Sequence, residues 1–193
     1  MSAPSKELMV KGNVYVMHRN YIVSKWGEEK IRLIETGLQK NWSSLVNHQD
    51  LMVVQWIPHR FFVEFNQHVM KNIQYKPELI FRELGKNAIK QLINKVMISM
   101  LKMGTPNLFA TIAATLWGRN YNMGKVEMET EKDQFSFSIK EFDPMDEWTC
   151  HALLGCLESY VELIGYKVVF AKHERSVLRG DSLEKYTVKW TKS

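Results

Sequence analysis

The chain has 193 residues, enough for one domain that buries most of its apolar surface with no metal or disulfide to hold it. Its 45% hydrophobic and 24% charged content is ordinary globular composition and excludes a disordered or low-complexity protein. The net charge of +5 is mild and spread along the chain, so contacts with phosphates or an acidic partner are permitted but nucleic acid is not demanded.

The N-terminal MSAPSKELMVKGN lacks the apolar core of a signal peptide, and residues 1–9 read as a loose tail. The run 11–23, KGNVYVMHRNYIV, is rich in Val, Tyr and Ile and predicts a strand or a strand and turn. Gly27 opens a helix with Glu28 and Glu29 in its first turn, where the helix dipole favours them, and Ile31, Ile34 and Leu38 form its buried stripe. The segment 42–58 carries no clear period. Residues 59–74 predict a helix through Phe61, Phe62, Phe65 and Val69.

Pro77 suits the first position of a long helix, 77–103, whose apolar residues recur at three-to-four spacing. Its second half is apolar on most sides. Gly104 ends it, and Thr105-Pro106 starts another apolar helix, 106–117. The period then changes. Val126, Met128 and Thr130 alternate with charged residues, as do Phe135, Phe137 and Ile139, which predicts a hairpin. Asp143-Pro144 with Asp146 and Glu147 starts a helix with the stripe Cys150, Leu154, Leu157, Val161 and Ile164, stopped by Gly165. Strands are expected at 166–173 and 185–191. Helices first, then strand–strand–helix–strand–strand, argue an α+β fold: N-terminal helices packed on a four- to five-stranded antiparallel sheet around an apolar cavity, all in one domain.

The sequence has no glycine-rich phosphate loop, no Gly-x-Ser-x-Gly elbow and no His-Glu-x-x-His. Cys150 and Cys156, six apart on one helix, read as reduced core thiols rather than a disulfide. His151 is adjacent to Cys150, so the two point about 100° apart and make no nucleophile–base pair. His18, His48, His59, His68 and His173 each stand isolated; a lone histidine ligates haem iron far less often than it fills a boundary position. No catalytic residue, metal ligand or cofactor is expected. No stretch reaches the roughly 18–20 apolar residues of a membrane span, so a cytoplasmic location is expected.

The crowding of Met97, Met100, Leu101 and Met103 against Leu108, Phe109, Ile112 and Leu116 is plain core packing or the wall of a cavity. The second reading makes Met97, Met100, Leu101, Phe109, Ile112 and Leu116 a pocket for an apolar ligand, a fatty acid or acyl-CoA first. Arg119, Lys102 and Lys125 are then the candidates for its head group, Arg119 ahead for its bidentate fork. A homodimer and a signalling partner are expected to carry the response. Two other classes stay open: an interaction module with an apolar helical surface, and an enzyme on an acyl or tetrapyrrole substrate.

Four stretches carry a family resemblance: VKGNVYVMHRNYIVSKWGEEK near the N-terminus, FRELGKNAIK at 81–90, LWGRNYNMGKVEME at 116–129 and HERSVLRGDSLEKYTVKW at 173–190. Together they resemble a single-domain family expanded in myxobacteria and, through it, the vinyl-4-reductase domain superfamily. The resemblance covers nearly the whole chain. It implies helices on an antiparallel sheet around a small-molecule pocket, as in aromatic-responsive bacterial regulators, the acyl-holding subunits of the TRAPP tethering complex and haem nitric-oxide-binding domains. Sensors of that superfamily commonly carry zinc-binding cysteines flanking a terminal Gly–Asp turn. Around Arg179, Gly180 and Asp181 this chain has Ser176 and Glu184 instead, so that zinc site is expected to be absent. The Tyr-x-Ser-x-Arg motif of the haem-binding relatives is missing too.

Overall fold

The structure is a computed structural model that describes residues 7–47, 53–103 and 106–192. In chain order these form β1 (Met9–Lys11), α1 (Gly12–Trp26), α2 (Glu28–Asn47), β2 (Trp56–Pro58), α3 (His59–Asn72), α4 (Pro77–Leu92), α5 (Lys95–Met103), α6 (Pro106–Asn120), β3 (Lys125–Thr130), β4 (Gln134–Lys140), α7 (Glu147–Leu163), β5 (Tyr166–Arg175), a 3-10 turn (Val177–Arg179) and β6 (Leu183–Lys192). Four strands form an antiparallel sheet in the order β3-β4-β6-β5, and β1 pairs with β2 in a small ribbon of its own. The class is α+β with the helices N-terminal and the main sheet C-terminal.

The expected strand at 11–23 is a helix. Only Met9–Lys11 is extended, and α1 takes over at Gly12. Its β-branched and aromatic content suggested a strand, but Val14, Tyr15, Met17, His18 and Ile22 fall on a buried helical face, so tertiary packing overrode propensity. The expected tail is also shorter. Asn122 accepts from the Met9 backbone N–H and donates to the Glu7 carbonyl, tying this end to the turn after α6. Within 42–58, α2 runs on to Asn47 through a kink at Trp42, and β2 follows from Trp56; residues 48–52, with His48, lie outside the described residues.

The long helix expected over 77–103 is two. Ile93 caps α4 in extended backbone, and the side chain of Asn94 accepts from the Met97 N–H at 2.9 Å to start α5. An asparagine at that spacing is a helix start, which the uninterrupted apolar pattern concealed. The remaining expectations agree closely: α3, the β3–β4 hairpin and α7, whose Asp146 cap accepts from the Thr149 N–H at 2.7 Å. The last two strands extend by a residue or two beyond the expected 166–173 and 185–191.

Two cores result. One gathers Tyr15, Ile31, Phe61, Phe62, Phe65 and Phe81 among the N-terminal helices. The other gathers Leu101, Ile112, Phe135, Leu157, Val161 and Tyr186 between the sheet, α6 and α7. They are stitched by α4 on α7, a crossing made close by paired glycines. A methyl on Gly85 would stand 1.8 Å from the Ala152 carbonyl oxygen, and one on Gly155 would stand 2.0 Å from that of Arg82. Only glycine permits backbones to touch so closely.

Candidate functional site

Where the two cores meet, a cavity of about 100 Å³ remains. It lies among α1, α4, α6 and α7, with Met128 and Phe137 of the sheet on one side. Small side chains create it. Ala88 of α4, Ala113 of α6 and Ala152 of α7 present methyl groups where larger residues would fill the space. Leu92, Leu116, Leu153 and Leu157 supply most of the remaining wall, and Trp117 and Tyr121, stacked at 4.2 Å, close one end.

The polar groups on this wall are few. His18 of α1 is 2% exposed and packs against Phe62, the ring centroids 5.0 Å apart and tilted by 52°. Its Nδ1 is buried without a hydrogen-bond partner among the described residues. Burial pushes the imidazole pKa down to about 3, so the ring is neutral at physiological pH. Asn120 is spent on its own helix, donating to the Leu116 carbonyl at 2.7 Å. Burial also pushes the Cys156 thiol up to about 12, and the thiol lies 3.2 Å from the Gly85 carbonyl oxygen, so it is an inert core thiol. Burial raises the Tyr160 hydroxyl as well. The wall has no charge of its own.

A shallower depression of about 380 Å³ adjoins it, lined in part by Lys11, Val53, Val54 and Arg119. Leu92, Leu116 and Asn120 line both spaces and form the partition between them. The cavity therefore has a basic neighbour on one side.

Of the six apolar residues picked from the sequence, Leu116 lines the cavity. Leu101 and Ile112 are buried in the sheet-side core, with Met97 half-buried against it. Met100 is 43% exposed on α5. Phe109 belongs to α6, and its side chain, like that of Met103, lies outside the described residues. The break at Asn94 explains the displacement, because it redirects α5 away from the line of α4. Arg119 borders the outer depression. Lys125 is exposed and paired with Glu141 at 2.5 Å, and Lys102 is exposed on α5. The sequence reading missed His18, Ala88, Ala113 and Ala152. Alanines facing one another across three helices were the available signal, but it needs the helix pairing before it can be read.

Comparison with known proteins finds the same fold elsewhere. An H-NOX protein from S. oneidensis superposes with a TM-score of 0.64 over 95% of this chain and 97% of its own, at 11% identity. An H-NOX protein from K. algicida gives 0.61 over the same shares, also at 11% identity. An oxygen-binding H-NOX domain related to soluble guanylate cyclases gives 0.63 at 14% identity, over 94% of this chain and 95% of its own. At these identities the likeness is one of fold. No family model and no curated protein matches the sequence.

Proposed function

We propose that this protein is a non-enzymatic small-molecule-binding domain, a sensor that uses the H-NOX fold to enclose an apolar ligand in the cavity between α1, α4, α6 and α7. The observation that carries this reading is the cavity itself: a nearly uncharged hollow at the junction of two cores, walled by alanines and leucines. The H-NOX neighbours are described in Fe(II) states, and one in terms of heme distortion. The residues here do not fit that group. A space of about 100 Å³ is well below the roughly 300 Å³ at which pockets for drug-sized ligands begin, and a macrocycle is larger still. Among the described residues His18 is the one histidine on the wall, and no lysine or arginine among them lines it to meet a propionate.

A fatty acid or acyl-CoA is the ligand class we favour. A cavity of roughly 150 Å³ lined by apolar side chains holds a benzene ring, so the smaller one here, about 100 Å³, has room for the last few carbons of an acyl chain. The rest of the chain would pass over Leu92 and Leu116 into the outer depression, where Lys11 and Arg119 favour a carboxylate or phosphate head. Each buried methylene contributes about 0.8 kcal/mol, which supports micromolar binding after association costs. Occupancy would push α4 and α6 apart and so alter the surface offered to a second copy or a signalling partner. Native mass spectrometry of the purified chain tests the reading: a carried or added fatty acid is expected as a discrete mass increment. Apo mass alone, with no displacement of a fluorescent fatty acid, contradicts it.

A further inference from the structure

Away from the cavity, three residues from three elements converge. Cys150 lies in the first turn of α7, His173 near the end of β5 and Glu184 near the start of β6. The Cys150 Sγ, a His173 ring nitrogen and a Glu184 carboxylate oxygen all lie within 4.8 Å of one another. Glu184 Oε2 stands 2.5 Å from His173 Nε2 and 3.7 Å from Cys150 Sγ. The other carboxylate oxygen is already held, accepting from the Ser176 hydroxyl at 3.0 Å and the Val177 N–H at 2.7 Å. One oxygen is thus an anchor, and the second is aimed between thiol and imidazole. The His173 ring is fixed in turn, stacked on Tyr186 at 4.4 Å. An open cleft of about 760 Å³ reaches this cluster, and Cys150 and His173 form part of its wall.

The geometry points to a divalent transition-metal site built by Cys150, His173 and Glu184, with a fourth coordination position open to the cleft. Sulfur, imidazole nitrogen and carboxylate oxygen together are a zinc-type donor set. A tetrahedral ion at ordinary bond lengths holds such atoms roughly 3.4–3.6 Å apart. The thiol and carboxylate stand near that separation, and the histidine–glutamate pair must open by roughly 1 Å. A thiolate, a carboxylate and a neutral imidazole cancel the charge of the ion. That neutrality suits a site where Cys150 is 3% and Glu184 0% exposed. On binding, the thiol proton leaves to solvent and a sulfur–metal bond replaces it; no redox change is involved.

Ser176 does not complete the set. Its hydroxyl donates to Glu184 and accepts from the Leu178 N–H at 3.2 Å. Three protein ligands and one free position form the pattern of a metal that exchanges a ligand, as distinct from a closed structural site. Arg82, Lys172 and Arg179 line the cleft together with Glu78, Asp146 and Glu147, a wall of balanced charge, so the exchangeable ligand is a water that a small anion can replace. The sulfur of the site comes from α7 and not from the residues flanking Gly180 and Asp181.

Cobalt titration of the chelator-treated full chain tests this. One equivalent of Co²⁺ is expected to give a thiolate-to-metal charge-transfer absorption and tetrahedral visible bands. Cys150→Ser removes the charge-transfer band, and Glu184→Gln weakens binding at least tenfold. Thiocyanate shifts the visible bands through the free position. Absence of charge transfer, or its persistence in Cys150→Ser, overturns the metal site; visible bands that thiocyanate leaves unmoved overturn the open position. Wild-type protein gives an independent reading should a variant fail to fold. Zinc is expected to release about one proton per ion and raise the thermal midpoint where magnesium does neither, and no release overturns the proposal.

Discussion

The two hollows of this molecule are built on opposite principles. The cavity between α1, α4, α6 and α7 is nearly uncharged and lined by side chains too small to fill it. The cleft beside α7, β5 and β6 is polar, and its buried groups are tied to one another. His18 and Glu184 show the contrast most clearly. Both are buried. His18 is neutral, because burial alone acts on it. Burial also acts against the Glu184 carboxylate, but hydrogen bonds from His173, Val177 and Ser176 overcome it and hold its pKa below the usual range. A buried polar group survives either by giving up its charge or by being surrounded with donors. The first choice leaves an uncharged pocket, the second a cluster of fixed polar groups.

Both regions hang on the contact of α4 with α7, so the largest effect is expected there. Gly85→Ala is predicted to cost about 3 kcal/mol, because its methyl meets backbone of the opposite helix that cannot yield locally. Urea unfolding measures it. A cost below 1 kcal/mol would mean that the helices separate freely and that the cavity wall is soft.

The next effect is an acid sensitivity belonging to the cavity side. Burial lowers His18 to about 3, and burial, opposed by Asp143, lowers His59 to about 4. Above the ordinary value near pH 6.5 both rings are neutral, folded or unfolded, and their contribution is constant. As pH falls below that, the unfolded chain takes up protons that the folded chain refuses. Stability is therefore lost by about 1.4 kcal/mol per pH unit for each histidine, down to the folded values. His18→Leu should remove one proton from this slope between pH 6 and 4, read from urea midpoints across pH. An unchanged slope would place the sensitivity elsewhere.

The sequence revealed the two regions unequally. Sheet-side elements were legible because alternation has a short period: Phe135, Phe137 and Ile139 predicted β4, and the structure buries all three. Glu184 continues the inward alternation of Tyr186 and Val188, so its burial was readable in principle. The helical side was harder. Val14, Tyr15 and Ile22 favour a strand locally and became helical because the neighbouring phenylalanines offered a face to pack on. The apolar run through Met97 and Met100 reads as one helix with the residues before it, but Asn94 ends α4 and starts α5, and Ala88, Ile89 and Leu92, which line the cavity, lie before that break. Cys150, His173 and Glu184 are spread over 34 positions and gave no spacing signal.

The smallest predicted effect concerns the entrance. Arg119→Ala should weaken binding of a fatty acid about threefold, since an exposed charge contributes less than about 1 kcal/mol, and the effect should shrink with added salt. Isothermal titration at two salt concentrations measures it. A salt-independent loss would point to lost packing rather than charge.

The most direct test of the central claim fills the cavity from within. Ala88 is 3% exposed and faces the hollow, so Ala88→Leu places extra methyl groups in the space assigned to the ligand. Displacement of a fluorescent fatty acid is the measurement. Micromolar binding to the wild-type chain, weakened at least tenfold in Ala88→Leu with thermal stability unchanged or raised, is the predicted result. Equal affinity in the two proteins, or none in either, would contradict it.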